Sequence, residues 1–430
     1  MSTDTIFALS SGQPPAGIGV IRISGPVASD VLRGVIGKLP KPRFASYVTM
    51  FDPQSRDPID HGIALWFPGP RTATGEDLAE LHCHGGRAVT AALLAMLARQ
   101  PDCRLAEPGE FTRRAFLNGR IDLNEAEGLA DLLLAETEGQ RRAAMAMAQG
   151  HFSRRVEDWQ RQILQLSALV EAALDFSDAD DVPGEGTEAE IARRLALLQE
   201  DIRSEQSRPS AERLRDGVRV VIAGPPNAGK STLLNALAGW DAAIVSDIAG
   251  TTRDRIEIPL ALGGIAFLVT DTAGLRDDAS DDVEAIGMGR AREAIDAADI
   301  LLWLGDGALV PHKGALRIAA QADRPGWTMP DGTDIALSAR TGQGMDRIVA
   351  ALVDRAAALL PRQDGYALHA RQRQLINTIS DLLQDGLGET DMLIVAEILR
   401  TLRGAVDRLT GRSGTEDMLD ALFGSFCIGK

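Results

Sequence analysis

The sequence predicts a multidomain chain that joins α/β units to an all-α unit. Three observations predict it. Residues 217–360 alternate strand and helix patterns and open on a glycine-rich loop. Stretches rich in Ala, Leu, Glu, Gln and Arg, with helical periodicity, lie on both sides of that segment. Residues 1–118 mix branched-apolar strand patterns with short helices, an α+β texture. At 430 residues the chain is also too long for one hydrophobic core.

The N-terminal part reads as follows. Gly19 to Ser24 alternates branched apolar residues, a strand. Gly62 to Phe67 is a second strand, stopped by Pro68-Gly69-Pro70, and Leu78 to Cys83 a third. Gly85-Gly86 opens an apolar helix through Leu97. Pro108-Gly109-Glu110 turns the chain before a short helix, Phe111 to Asn118.

The texture changes at Asp122. Ile163, Leu166, Leu169, Val170 and Ala173 recur at three- and four-residue spacing, so residues 122–176 read as helix. Asp178 to Gly186 is a loop, and Thr187 to Arg215 is helical again. Residues 366–423 are helical once more. Neither flank shows a core of its own, which predicts one helical domain with an α/β domain inserted into it. The expected domains are 1–118, 119–215 (helical, first part), 216–362 (a Ras-like P-loop domain) and 363–430 (helical, second part).

Within the inserted domain Val218 to Ala223 is a buried-type strand. Ile256 to Leu262 and Ile265 to Thr270 flank Gly263-Gly264, a hairpin signature. A helix follows over Val283 to Ala298. Strands follow at Ile300–Leu304, Leu316–Ala319 and Ile335–Leu337, then a helix at Met345–Leu359. This is a doubly wound sheet with one antiparallel edge pair.

Composition excludes several classes. With 45% hydrophobic and 25% charged residues the chain is neither disordered nor collagen-like. No apolar run approaches the roughly 18–20 residues of a spanning helix, and no signal-peptide pattern opens the chain. Three cysteines build no disulfide framework, which fits a reducing cytoplasm. The formal net charge is −16. Residues 121–212 alone hold 9 basic and 20 acidic residues, whereas residues 1–120 hold 13 and 11. Such a chain is not expected to grip nucleic acid by charge alone.

The chemistry concentrates in the inserted domain. Gly224-Pro225-Pro226-Asn227-Ala228-Gly229-Lys230-Ser231 matches G-x-x-x-x-G-K-[ST], after a strand and before a helix. Its backbone N–H groups and helix N-terminus suit a β-phosphate. Lys230 bridges β- and γ-phosphates, Ser231 ligates Mg²⁺, and Asn227 through Thr232 form the nucleotide-contacting run. Asp271-Thr272-Ala273-Gly274 ends the next strand, placing a carboxylate near Mg²⁺ and a glycine N–H near the γ-phosphate. Between them Gly250-Thr251-Thr252-Arg253-Asp254 offers a threonine, Thr252, that closes over γ-phosphate and Mg²⁺.

Base reading is partly intact. The N-K-x-D position holds Ala320-Gln321-Ala322-Asp323, so only the aspartate remains. Ser338-Ala339-Arg340 matches the S-A-[KR] loop. Asp323 favours the donor edge of guanine, and use of ATP stays open. Leu275 stands where Ras-type enzymes place a water-orienting Gln, so another device has to act. Asn227 can hold a monovalent cation beside the phosphates. Glu284 reads either as a water-orienting group or as a helix-start carboxylate stabilised by the dipole. Cys427 reads either as a small buried residue or as a reactive thiol. His82-Cys83-His84 lacks the further ligands a metal site needs.

A whole-length set of motifs then carries a resemblance. They are Gly19-Val20-Ile21-Arg22-Ile23-Ser24-Gly25, Gly75-Glu76-Asp77, Glu80 with His84-Gly85-Gly86, Pro108-Gly109-Glu110-Phe111 and Arg114-Ala115-Phe116-Leu117-Asn118. The Asn-bearing phosphate loop, Asp247-Ile248-Ala249-Gly250-Thr251-Thr252-Arg253-Asp254, Asp271-Thr272-Ala273-Gly274-Leu275-Arg276 and Phe426-Cys427-Ile428-Gly429-Lys430 complete it. The chain resembles the MnmE (TrmE) family of tRNA modification GTPases.

The resemblance implies a GTPase that works with an FAD-dependent partner, MnmG, in a heterotetramer. The pair adds an aminomethyl or carboxymethylaminomethyl group to C5 of the wobble uridine of certain tRNAs. It implies an N-terminal domain that forms a homodimer and holds 5-formyl- or 5,10-methylene-tetrahydrofolate at Arg22, Glu80, Arg120 and Lys430. The family usually has Lys at the third of these; Arg120 keeps the charge but not the shape. It implies a K⁺ site at Asn227, Ser246, Ile248 and Thr251, with Mg²⁺ at Ser231 and Thr252. GTP contacts then include Ser246, Asp247, Ile248, Ala249, Gly250, Thr251 and Thr252. Glu284 becomes the catalytic glutamate, acting with Lys230 and Thr252, and Cys427 matches the family's C-terminal cysteine.

Two other readings compete. A ribosome-assembly or signalling switch usually appends a basic, aromatic RNA-binding module, but residues 362–430 are helical, with 8 basic and 10 acidic residues. A degenerate interaction platform is at odds with intact Lys230, Ser231, Thr252 and Asp271.

Overall fold

The computed structural model describes residues 4–175, 184–208, 211–240, 257–272, 292–305, 314–360, 365–411, 416–424 and 426–429. They form two compact units, residues 1–130 with 406–430, and residues 131–405.

The first unit holds a six-stranded sheet of order β3-β4-β5-β2-β1-β6. The strands are β1 (Thr5–Leu9), β2 (Ile18–Ser24), β3 (Ser46–Phe51), β4 (Pro58–Phe67), β5 (Leu78–His84) and β6 (Cys103–Leu105). All neighbours are antiparallel except β1 and β6. Period-two alternation sends Ile21, Ile23 and Leu81 into a core with Leu32, Val35, Leu93 and Leu97 from the helices Ala28–Ile36 and Arg87–Ala98. The same alternation leaves Arg22 and Glu80 on the opposite face, directly across from each other in the β2–β5 register.

A smaller apolar cluster joins Phe116, Leu123 and Ala126 to Leu419, Phe423 and Phe426 near the C-terminus. It seats the last residues. Pro108 and Ile428 form an antiparallel bridge. Gly109 has φ 66°, and a Cβ there would lie 2.2 Å from the Phe423 carbonyl oxygen. Gly429 has φ 94°, and a Cβ would lie 2.3 Å from the Leu9 carbonyl oxygen. Only glycine allows both approaches. Beneath this, buried Arg114 pairs with Asp4, Glu76 and Glu110. Burial pushes the Glu110 carboxyl up, but hydrogen bonds from Arg104, the Glu107 N–H and Arg114 outweigh it and hold the group below its usual range.

The second unit contains the other sheet, of order β12-β11-β10-β7-β9-β8. Its strands are β7 (Val218–Ala223), β8 (Glu257–Leu262), β9 (Ile265–Asp271), β10 (Ile300–Leu304), β11 (Leu316–Ala319) and β12 (Ile335–Ala336). Every pair is parallel except β8 with β9. Gly263 (φ 58°) and Gly264 (φ 79°) join that pair, the conformation a two-residue hairpin turn requires. Helices Lys230–Ala238 and Met345–Leu359 bury Leu233, Leu237, Ile348 and Leu352 against Val220, Ile222, Phe267, Val269 and Leu302.

Helices His151–Asp175, Gly184–Gln206 and Ala370–Gly388 pack together, so chain from both sides of the α/β segment shares one helical assembly. A buried polar centre ties the two chain crossings. Glu205, 1% exposed, accepts from the Tyr366 hydroxyl at 2.9 Å and Arg208 Nε at 2.6 Å, and Arg155 Nε lies 3.6 Å away. Arg208 also lies over the Tyr366 ring, and its carbonyl accepts from Arg373. Burial, then the Glu205 charge, push the Tyr366 hydroxyl well above its usual pKa, so it stays a donor. At the other end, Gln140 donates to the carbonyls of Leu214 and Arg215 at 3.0 and 3.2 Å. That bonds the last turn of Ala211–Arg215 just before β7.

Several expected boundaries move. The helical stretch 122–176 breaks into Leu123–Leu134, Glu138–Ala148 and His151–Asp175. Thr137 forms a capping box with Gln140, and Gly150 turns at φ 72°. The second helix begins at Gly184, inside the expected loop 178–186. Strands β1, β3 and β6 were not expected; β6 has three residues and β1 lacks a full alternation. Of the expected helix 283–298 only 292–296 is described as helical, and 283–291 lies outside the described residues.

Tyr366→Phe keeps the ring packing and removes one donor from Glu205. It is expected to cost about 1 kcal/mol, lowering the melting midpoint by roughly 2 °C. An unchanged midpoint in calorimetry would show that Glu205 does not use that bond.

Candidate functional site

The phosphate loop is the turn between β7 and the helix Lys230–Ala238. Gly224 has φ 150°, and a Cβ there would lie 2.0 Å from the Leu304 carbonyl oxygen, so the loop leaves the sheet only through glycine. Asn227 (φ 60°) and Gly229 (φ 95°) are left-handed, which folds the loop back over the helix start. Gly229 is the helix N-cap and contributes no side-chain cap, so the first N–H groups face the loop. Lys230 Nζ donates to the carbonyls of Gly224 and Pro225 at 3.1 and 3.0 Å, across the loop mouth. Ala228 and Gly229 are half-buried; Asn227 and Thr232 are exposed. This cradle of backbone donors and an ammonium fits polyphosphate.

The parallel β7–β9 register places Ile222 opposite Asp271, beside the loop. The Ser231 hydroxyl donates to Asp271 Oδ2 at 2.6 Å, and Asp271 is only 2% exposed. Thr272 anchors the strand end through its hydroxyl to the Ile222 carbonyl at 3.0 Å. A hydroxyl and a buried carboxylate side by side are an oxygen donor set suited to Mg²⁺.

Asp323 and Ser338 sit at the far edge of the same sheet. Backbone bonds fix both loops: Ala322 N–H to the Leu337 carbonyl at 2.9 Å, Leu337 N–H to Ala319 at 2.8 Å, and Ser338 N–H to Gln343 at 2.9 Å. A hydrogen bond from the Ser338 side chain, then one from Arg340, hold the Asp323 carboxyl below the usual range. Arg340 Nε lies 2.9 Å from Asp323 Oδ2. Ala339 links the two side chains along the loop. The structure thus brings together Asn227 to Thr232 with Asp271 and Thr272, and separately Asp323 with Ser338, Ala339 and Arg340. Ser246, Asp247, Ile248, Ala249, Gly250, Thr251, Thr252, Ala273, Gly274 and Glu284 lie outside the described residues, so of the expected K⁺ ligands only Asn227 is described.

In the first unit Arg22 Nη2 pairs with Glu80 Oε1 at 2.9 Å, and His82 Nε2 lies 3.3 Å from the other Glu80 oxygen. The Arg22 guanidinium lies 5.8 Å from the Phe111 ring centre. Arg120 Nε donates to the Thr72 carbonyl at 3.2 Å, and the Thr72 hydroxyl to the Glu76 carbonyl at 2.6 Å. Glu76 in turn accepts from Ser24, two residues along β2 from Arg22. Glu76 and Asn118, whose amide donates to the Thr74 carbonyl, were given no role from sequence, though both lie in the motifs that carry the resemblance. Lys430 lies outside the described residues. Cys427 is exposed, against the small-buried-residue reading, and its carbonyl accepts from Gly109 N–H at 3.5 Å. His82, Cys83 and His84 bond separately to Glu80, the Gly19 carbonyl and Asp60; among the described residues no metal-holding cluster occurs.

Two family models match. Residues 5–120 match that of the GTP-binding protein TrmE N-terminus, and residues 123–427 that of the MnmE helical domain. The chain belongs to the MnmE family. It is similar to the tRNA modification GTPase MnmE of Rhizorhabdus wittichii, 58% identical over all of this chain and 97% of that one. It is 54% identical to the MnmE of Novosphingobium aromaticivorans, over the full length of both. Among solved structures, the G domain of the T. maritima FeoB iron transporter overlaps 32% of this chain and 98% of that one, at 22% identity and TM-score 0.24, too slight a likeness to argue from.

The Gly224 geometry carries a test. Gly224→Ala is expected to abolish binding of a fluorescent GTP analogue and to lower stability by about 1–3 kcal/mol, because carbonyl and Cβ cannot share that space. Wild-type affinity in the variant would refute the geometry.

Proposed function

We propose that this MnmE-family protein hydrolyses GTP with Mg²⁺ and K⁺ and, with an FAD-dependent MnmG partner, modifies C5 of the wobble uridine of certain tRNAs using a tetrahydrofolate one-carbon unit. Family membership over the whole chain supports the GTPase and tRNA part. The phosphate cradle with Ser231 against buried Asp271 is the observation that carries the hydrolytic part.

Lys230 neutralises the β- and γ-phosphates, and Ser231 ligates Mg²⁺ with Thr252. Asp271, which accepts the Ser231 hydroxyl, would support that site. Asp323 reads the donor edge of guanine, with the backbone of the Ser338–Arg340 loop beside it. Asn227, exposed in the loop with a left-handed backbone, would hold K⁺ together with Ser246, Ile248 and Thr251. A cation held there would supply positive charge where negative charge develops during transfer. Glu284 positions the attacking water, since Leu275 has no polar atom to do so.

Arg22 and Glu80, with Arg120 and Lys430, would hold the folate, and the exposed thiol of Cys427 is a candidate for the same chemistry. The protein works as a homodimer in the cytoplasm. Among the described residues no helix is long and apolar enough to cross a membrane. Its acidic segment 121–212 faces water or a basic partner surface, which then supplies most of the grip on tRNA.

In KCl the purified protein is expected to turn over GTP at least tenfold faster than in NaCl, and Asn227→Ala to remove the difference. Equal steady-state rates in the two salts would defeat the cation mechanism.

A further inference from the structure

Asp323 is the one acceptor retained from the four-residue base-reading pattern, because Ala320 and Gln321 replace its amide and its lysine. Its carboxylate is already engaged. Fully buried Ser338, on the neighbouring loop, helps hold the Asp323 carboxyl below its usual range. Arg340 Nε donates to Oδ2 at 2.9 Å. Guanine presents two more donors in one plane, the ring N–H and the exocyclic amine, and needs both carboxylate oxygens. A carboxylate has acceptor sites for about four donors, but a guanidinium on one oxygen crowds the amine and spends the charge that makes the pairing strong.

The frame decides which partner gives way. Backbone bonds from Ala322 to Leu337, Leu337 to Ala319 and Ser338 to Gln343 fix the loops carrying Asp323 and Ser338. Thr341 N–H to the Ser338 hydroxyl at 3.2 Å fixes the residue beyond Arg340. The Arg340 side chain is 81% exposed, so it is the group free to swing.

We propose that Arg340 is an affinity- and specificity-setting residue that competes with guanine for Asp323 Oδ2, so base binding has to displace it. This rests on the reading that Asp323 accepts guanine. The competition weakens binding of guanine nucleotides but not of adenine nucleotides, which bring no donor pair to Asp323. It narrows the guanine preference and speeds release of GDP. An exposed pair of this kind is weak, so its removal changes affinity by about three- to fivefold rather than a hundredfold.

The test is equilibrium binding of fluorescent GDP and ADP analogues, with Mg²⁺, to the full-length protein and to Arg340→Ala and Asp323→Asn. Arg340→Ala is expected to tighten GDP about three- to fivefold, leave ADP unchanged and lower the GDP dissociation rate by a similar factor. Unchanged or weaker GDP binding in Arg340→Ala, with guanine preference lost in Asp323→Asn, overturns the competition and leaves the base reading standing. Equal tightening of GDP and ADP also overturns it, since the effect would then be on the phosphates. Guanine preference that survives Asp323→Asn overturns the base reading itself.

Discussion

The contact between Ser231 and Asp271 organises the nucleotide site. It exists because β7 and β9 are adjacent parallel strands whose register sets Ile222 against Asp271. The strand that delivers the carboxylate and the strand that launches the phosphate loop therefore end at the same level. A one-residue slip would turn the Asp271 side chain to the other face of the sheet and remove the donor pair. The loop itself depends on Gly224 passing the Leu304 carbonyl, so β10, on the other side of β7, also helps define the cradle. Three neighbouring strands thus set one site, and the apolar core beneath them holds that register.

The same unit shows how an α/β domain can be carried inside a helical one without being loosely tethered. Glu205, Arg208 and Tyr366 come from the two segments by which the chain enters and leaves the sheet, and they meet in one buried polar centre. Gln140 adds a second tie at the last turn before β7. Partnered on several sides, the Glu205 charge is tolerable in the interior; with partners removed it would be costly. The first unit uses the same device in another place, where buried Arg114 collects Asp4, Glu76 and Glu110.

Much of this was legible in the sequence, for identifiable reasons. The strands β7 and β10 are short, mostly buried apolar runs and β11 alternates buried and half-buried residues, and the limits of all three were read to the residue. The Gly263-Gly264 hairpin followed from the turn alone. Edge strands β3 and β6 were not read, because an edge or three-residue strand gains its identity from a partner rather than from a pattern, and interior strand β1 was missed because it lacks a full alternation. The breaks near Thr137 and Gly150 were hidden by strong helix formers on either side. The phosphate loop and Asp271 were visible as motifs, whereas the Arg340–Asp323 pair and the Glu205 centre were not, since neither has a sequence spacing that marks it. Net charge looked like an argument against a nucleic-acid role, yet the acidity lies mostly in residues 121–212, a different stretch of sequence from the phosphate loop and from the strands that carry Arg22 and Glu80.

The central claim is that chemistry at the Ser231–Asp271 site drives modification of tRNA. It is tested most directly by mass spectrometry of wobble-uridine nucleosides from cells whose only copy of this gene encodes Asp271→Ala, with protein levels matched to wild type. The account predicts loss of the C5-modified uridines to the level of the gene deletion, restored by the wild-type copy. A normal complement of modified wobble uridines in the Asp271→Ala cells would contradict it.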